Sequence, residues 1–276
     1  MVSNSADSVS PSTKTNRQMS TMPSAEPIRV LVFSRTVAYR HDSIPASIKA
    51  LEDLAATSVT TSQPFVTTAT EDPTIFTPSG LSQFRVIILL QCSGEFLDSS
   101  QLEALKGFVH SGGGVIGLHC ASFAMESSEW YGRLIGGVFK DHPEPQMAKI
   151  RPVVNNMDHP LLTELVKRPQ HESEGKKTMF GVTTDKEWVW DWFDEYYNFK
   201  TNPWDNPHLQ ILLEVNEETY TGGTHGERHP LAWAQEFEGG RSFYNSLGHF
   251  SDAYLEDPGF MAFIYKAILW TARLDN

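Results

Sequence analysis

The stretch GGGVIGLHCAS, residues 112–122, decides how this chain is read. A glycine turn feeds an apolar run too short for a helix, and the run stops at His119-Cys120. A run of this length between turn signals fits a strand buried on both faces. A small-residue turn after such a strand can hold one side chain at an exposed, strained elbow. If the elbow follows Leu118 directly, His119 stands at its tip and Cys120 points partly into the fold. A nucleophilic thiol needs an adjacent base and groups that stabilise the thiolate. His249 is the candidate base, and the plainer reading of Cys120 is a small buried hydrophobe. For His119 the choice lies between a site residue and a structural histidine bonded to backbone.

Working outward, DSSQLEALKGFVHS reads as a helix. Ser100 and Glu103 fit a capping box, Leu102, Leu105 and Val109 form the apolar stripe, and Gly112 is the stop. FRVIILLQC (84–92) and IRVLVFS (28–34) read as buried strands. Between them SIPASIKALEDLAA spaces Ile44, Ile48, Leu51 and Leu54 as a helix does, with Asp42 or Ser43 as N-cap. SSEWYGRLIGG reads as the next helix. Later, MAKIRPVV, LQILLEV, LAWAQEF and RSFYNSLG read as strands, and DPGFMAFIYKAILWTARL as a terminal amphipathic helix. Alternating strands and helices predict an α/β fold on a mostly parallel sheet. Residues 1–27, Ser/Thr-rich and without a core pattern, read as a disordered tail. Residues 28–274 read as one domain, with an aromatic and acidic elaboration at about 166–208.

The chain has 276 residues, 40% hydrophobic, with a formal charge of -12. That balance argues against a nucleic-acid or anionic-membrane partner. No apolar run approaches the roughly 20 residues that span a bilayer, and the N-terminus has no signal-like apolar region. Cys92 and Cys120 read as reduced thiols, which with the missing signal predicts a cytoplasmic protein.

Ligands of open α/β sheets bind beyond the carboxyl ends of the strands. Polar groups recur there: Arg35, Tyr39, Arg40 and His41; Gln91, Cys92, Ser93 and Glu95; His119, Cys120 and Ser122; His249 and Asp252. The histidines form no HExxH motif. A divalent metal, zinc being the usual one, would have to be assembled from separate strand ends: His41, His119, His229 and His249, with an acid to complete the set. His142 and His159, each followed by proline, read as turn punctuation. In EWVWDWFDEYYNF (187–199) carboxylates lie among aromatics. That setting raises a carboxyl pKa and suits a general acid or base, or a sugar. The alternative is a loop that buries its rings over the sheet and solvates its acids.

Together, RVLVFSRTVAYRHDSI, GGGVIGLHCAS, WYGRLIGGVFKDHP, MDHPLL, DEYYNF, HPLAW and GRSFYNSLGH resemble the ThuA-like (trehalose utilisation) proteins of the class I glutamine amidotransferase-like superfamily. The resemblance runs from about residue 28 to 273. It implies a flavodoxin-like three-layer α/β/α sandwich. The superfamily's amidotransferases carry a Cys nucleophile in a G-x-C-x-G elbow backed by a His-Glu pair. Here Gly117-Leu118-His119-Cys120-Ala121 puts His119 in the Cys slot, and His249-Phe250-Ser251 replaces His-x-Glu, which argues against a glutaminase. The resemblance further implies a small carbohydrate as partner: trehalose, a related disaccharide, or its 3-keto derivative. His119, Glu195 and His249 would act as acid/base or ligand groups. Arg35, Tyr39, His41, Ser122, Tyr196 and Trp192 would line the pocket, with His229 a ligand or just behind one. A homo-oligomer is compatible with this reading. Two alternatives stay open: a non-catalytic sugar sensor, and a Cys120-dependent hydrolase.

Overall fold

The computed structural model describes Met1, residues 26–163 and residues 189–274. The expected tail (save its two ends) and the stretch 164–188 lie outside the described residues. In chain order the elements are β1 (Ile28–Phe33), α1 (Ile44–Ser58), β2 (Phe65–Thr70), α2 (Pro78–Leu81), β3 (Val86–Leu90), α3 (Ser99–His110), β4 (Gly114–Leu118) and α4 (Glu129–Ile135). They continue with β5 (Phe139–Asp141), β6 (Gln146–Pro152), β7 (Trp190–Asp194), β8 (Asn198–Phe199), β9 (Gln210–Val215), β10 (His229–Phe237), β11 (Gly240–Asn245), α5 (Ser251–Leu255) and α6 (Pro258–Thr271).

One nine-stranded sheet runs in the order β2-β1-β3-β4-β11-β10-β9-β6-β7. The pairs from β2 through β11 are parallel. From β11 to β7 each neighbour is antiparallel. Two reversals restore direction, so β9 and β7 run with the parallel set and only β10 and β6 oppose it. The carboxyl ends of β1, β3, β4, β7, β9 and β11 therefore share one edge.

Burial on both faces explains why the central strands are apolar at every position. Val30, Val32, Val86, Ile88, Ile116 and Leu118 pack toward Leu51 of α1 and toward Phe263, Ile264 and Ile268 of α6. Their neighbours Leu31, Phe33, Ile87, Leu89 and Val115 pack toward Leu81 of α2, Leu105 and Val109 of α3 and Leu134 of α4. The result is the three-layer α/β/α sandwich. Gly114 lets α6 approach β4 closely: a Cβ there would stand 2.5 Å from the Thr271 carbonyl of α6.

Three local expectations need correction. The capping box of α3 is Asp98 with Gln101, in which each side chain accepts the other's backbone N–H at 2.9 Å. Ser100 donates to Asp98 and Glu103 pairs with Lys106, because the extended residue that starts the helix is Asp98. Second, β2 was not foreseen; it is an edge strand with only Phe65 buried. Third, WDWFD is a strand, not a loop over the sheet. Trp190, Trp192 and Asp194 face in while Asp191 and Phe193 face out. No helix among the described residues is long and apolar enough to cross a membrane.

Candidate functional site

Four strand ends deliver the chemistry to one place. His41 lies in the loop from β1 to α1, His119 follows Leu118 of β4, Glu195 follows Asp194 of β7, and His249 lies just past β11. His119 takes the left-handed conformation, φ 51°, which costs a non-glycine residue about 1–2 kcal/mol. Surrounding bonds hold it there. Its Nδ1–H donates to the Ser246 carbonyl at 2.7 Å, and its own carbonyl accepts from the Tyr244 hydroxyl at 2.7 Å. Gln91, the first residue beyond β3, is also left-handed at φ 51°. Its amide donates to the Gly248 carbonyl at 2.8 Å and bonds Ser43 Oγ, tying the loop before α1 to the loop after β11.

Asp194 completes the frame. This buried carboxylate accepts the backbone N–H of Gly248 (2.7 Å), His249 (3.1 Å) and Glu195 (2.9 Å), and the Trp192 indole N–H (2.8 Å). A carboxylate with this many donors is satisfied where it stands. It clamps the His249 loop onto the end of β7 while Glu195, one residue on, turns inward.

At the centre stands His119 Nε2. It lies 3.0 Å from His41 Nε2, 3.4 Å from His249 Nδ1, 3.4 Å from Glu195 Oε2 and 2.8 Å from the Tyr197 hydroxyl. Glu195 Oε2 is 3.0 Å from His249 Nδ1, and Oε1 is 3.6 Å from His142 Nε2. One donor atom from each of His41, His119, Glu195 and His249 lies within 4.8 Å of all the others. Although so close to two imidazoles, Glu195 Oε2 is buried with no hydrogen-bond partner. His41, His119 and Glu195 are buried; His249 is half-buried and opens the group toward solvent.

Burial, then the neighbouring His119 and His249 rings, push His41 far below the ordinary histidine range. Burial works against ionising Glu195, yet the His119 and His249 imidazoles overcome it and hold the carboxyl low. Burial likewise opposes protonating His249, and the Glu195 carboxylate overrides it to raise that pKa. The site thus favours a carboxylate beside imidazoles of unequal basicity. Burial, reinforced by the Glu195 charge, pushes the Cys120 thiol far above its usual value. Cys120 donates to the Gln91 carbonyl at 3.1 Å and touches His41 Nδ1 at 3.4 Å. Its sulfur is a packed thiol, and His119 occupies the elbow.

Other candidates fall elsewhere. Tyr39 is exposed and edge-on to His41, at the rim. Arg35 lies near enough to Asp72 for their charges to interact, outside the four-donor group. Ser122 is buried behind the elbow, bonded to Tyr244 at 2.8 Å. Trp192 is core, stacked on Phe260. Tyr196 is buried too and donates to the Trp192 carbonyl; its neighbour Tyr197 is the tyrosine that reaches His119. His229 is not a ligand candidate: Nδ1 meets Glu217 (2.7 Å) and Tyr220 (2.8 Å), and Nε2 donates to the Tyr197 carbonyl at 2.9 Å. It supports Tyr197 from behind. His142, read as punctuation, faces Glu195 from the rim, placed there by the β5–β8 pairing and the Asn198–Asp141 bond. The DEYYNF and KDHP blocks carry Tyr197 and His142, but neither block shows which of its residues turns inward.

A three-layer α/β/α sandwich on a mostly parallel sheet, with a histidine elbow and an imidazole–carboxylate centre at the carboxyl edge of that sheet, defines the class: a flavodoxin-like fold. The family model described as ThuA, trehalose utilisation, matches residues 29–271, and the chain belongs to that family. No curated protein sequence matches it. Among solved structures it is similar to a ThuA-like protein of Bacteroides uniformis, at 19% identity and TM-score 0.64, covering 90% of this chain and 93% of that one. A ThuA-like protein of Parabacteroides merdae gives 16% and 0.62, covering 90% of each chain. A cytoplasmic protein of Salmonella typhimurium gives 10% and 0.54, covering 88% and 99%. At these identities the structures speak for the fold alone. The family's description gives the chain a carbohydrate-related setting.

Proposed function

We propose that this chain is a carbohydrate-active enzyme acting on trehalose, a related disaccharide or its 3-keto derivative. The observation that carries the reading is the convergence of three imidazoles on a buried, unpartnered carboxylate oxygen at the carboxyl edge of the sheet. A 3-keto sugar invites removal of the proton beside its carbonyl. That reaction asks for a base near neutrality and for something to stabilise charge on the oxygen. His249 and His142 are the imidazoles with access to solvent, and both face Glu195. The Tyr197 hydroxyl, its pKa driven up by burial, stays a hydrogen-bond donor.

The rim supports a sugar as substrate. Tyr39 is 62% exposed on one side. On the other, Phe250 packs on His249 at 4.4 Å, and Phe193, 42% exposed, packs on Phe250 at 5.3 Å. Flat apolar faces around a polar centre match a ring with an apolar face and a hydroxyl edge. The raised Cys120 thiol argues against a cysteine hydrolase.

The test is proton exchange. Purified protein is incubated in D2O with trehalose and with its 3-keto derivative, and NMR follows the carbons flanking the carbonyl. Deuterium incorporation or a rearranged or cleaved product is the expected result with the keto sugar. Tight sugar binding with neither would replace the enzyme by a sensor, and no binding at all would overturn the sugar reading.

A further inference from the structure

We infer that His41, His119, Glu195 and His249 form a binding site for one first-row divalent transition-metal ion of the zinc class. This goes beyond the sugar reading and does not rest on it. The donor set comes first: three imidazole nitrogens and one carboxylate oxygen suit zinc and its neighbours, whereas calcium and magnesium prefer oxygen throughout. Spacing comes second. Ligand atoms about 2.1 Å from a tetrahedral ion lie about 3.4 Å apart. Here the neighbouring donor atoms are 3.0, 3.4, 3.4 and 3.0 Å apart.

The outer contacts turn the right atoms inward. The His119 Nδ1–H is committed to the Ser246 carbonyl, which leaves the Nε2 lone pair facing the centre. Cys120 Sγ contacts the Gln91 carbonyl at 3.1 Å and His41 Nδ1 at 3.4 Å; in the tautomer that carries its proton on Nδ1, His41 also turns a Nε2 lone pair to the centre. His41 Nε2 then stands 3.0 Å from His119 Nε2, with the Tyr197 hydroxyl 2.8 Å from the same His119 atom and free to yield it to an ion. Fixing the imidazole tautomer through its second nitrogen is how metal-binding histidines are oriented.

Glu195 gives the independent observation. Oε2 lacks a hydrogen bond of good geometry although it stands 3.0 Å from His249 Nδ1 and 3.4 Å from His119 Nε2, an arrangement that suits ligand atoms around one ion better than a donor and its acceptor. Asp194, next in the chain, has all its bonding spent on the frame and adds a fixed negative charge behind the site. When bound, the ion would polarise a substrate oxygen as a Lewis acid. His249 would then be a ligand, and the free imidazole at the rim would be His142.

The full-length chain is treated with chelator and titrated with Zn2+ by calorimetry. Mass spectrometry then counts the metal, and Co2+ loading gives a visible spectrum. One ion per chain is expected, with cobalt bands of a nitrogen–oxygen site. Glu195→Gln and His249→Ala should each weaken binding by roughly 100-fold or more, since even outer contacts contribute 10–100-fold. His110→Ala, which removes a ring paired with Glu238 away from the centre, should bind as wild type. Circular dichroism of the metal-free variants should match metal-free wild type; if one unfolds, the other carries the test. No stoichiometric ion, or one indifferent to both ligand substitutions, overturns the site. Metal without sugar chemistry refutes only the sugar reading; sugar exchange by a protein that takes up no ion on titration refutes only the metal.

Discussion

Two histidine–glutamate groups sit on opposite sides of Tyr197, built from the same residue types. In one, His225 and His229 meet Glu217, and each ring nitrogen of His229 has a protein partner within 2.9 Å: Nδ1 meets Glu217 and Tyr220, and Nε2 the Tyr197 carbonyl. His225 Nε2 accepts the Phe199 backbone N–H, and the His225 backbone N–H donates to Glu217. In the other, His41, His119 and His249 meet Glu195, ring nitrogens face each other, and Oε2 has no hydrogen bond. Residue type does not separate the two. What separates them is whether the protein satisfies its own polar atoms, because an unsatisfied buried group is kept only where something else completes it.

The largest expected effect breaks the open group. Glu195→Gln should cut kcat/KM on the reactive sugar by about 10²–10⁴-fold, the range of a lost acid–base or charge-stabilising group. Its melting temperature should stay within a few degrees of wild type, since function and stability are often traded at such sites. A variant that melts far lower with full activity would make Glu195 structural.

Next, the Glu217 group. His229→Ala strands Glu217, Tyr220 and the Tyr197 carbonyl around a new cavity, and should cost about 2–4 kcal/mol in denaturant unfolding. Activity should fall less than in Glu195→Gln, through a looser Tyr197. If His229→Ala abolished turnover at unchanged stability, the two groups would have exchanged roles.

A smaller effect follows from protonation. Burial, with His229 adding to it, lowers the His225 pKa to about 4, and burial lowers His229 as well. The unfolded chain binds protons near pH 6.5, and the folded chain binds them only near pH 4. Between those values the unfolded state holds more protons, so stability is full above about pH 6.5 and declines as pH falls toward 4. His225→Gln should flatten that decline in urea titrations at a series of pH values. An unchanged slope would mean other groups set it.

The smallest effect concerns backbone. His119 is left-handed, and neither His225 nor His229 is. Asparagine tolerates that conformation better than histidine, so His119→Asn should leave the metal-free melting temperature equal or slightly raised while removing function. A fall of many degrees would show that the ring, not the strain, dominates there.

Much of this was readable in sequence, for a physical reason. His119 ends an apolar run, His249 follows one, and His41 lies in the loop after another; parallel strands bring such ends together. Glu195 stands out by its aromatic setting and does lie in a loop, but the strand that delivers it is not evident in the sequence. The tryptophan density of WDWFD hid a period-2 strand whose inward residues are Trp190, Trp192 and Asp194. Choosing Tyr196 over Tyr197 required knowing where β7 stops, and a shift of one residue reverses which side chain faces in. Ser122 and Trp192 carried the right chemistry in the wrong layer. His142 depends on β5 meeting β8, a pairing between short segments with no local signature.

The donors of the open group are scattered along the chain: 78 residues separate His41 from His119, and 130 separate His119 from His249. Contacts that distant form only after long loops have closed, and closing them slows folding. Until those loops close, strands and helices can be in place without a complete centre. Whatever occupies the centre recognises the finished chain and ignores its precursors. By mass action, an occupant at 100 times its Kd would add about 2.7 kcal/mol to the finished state.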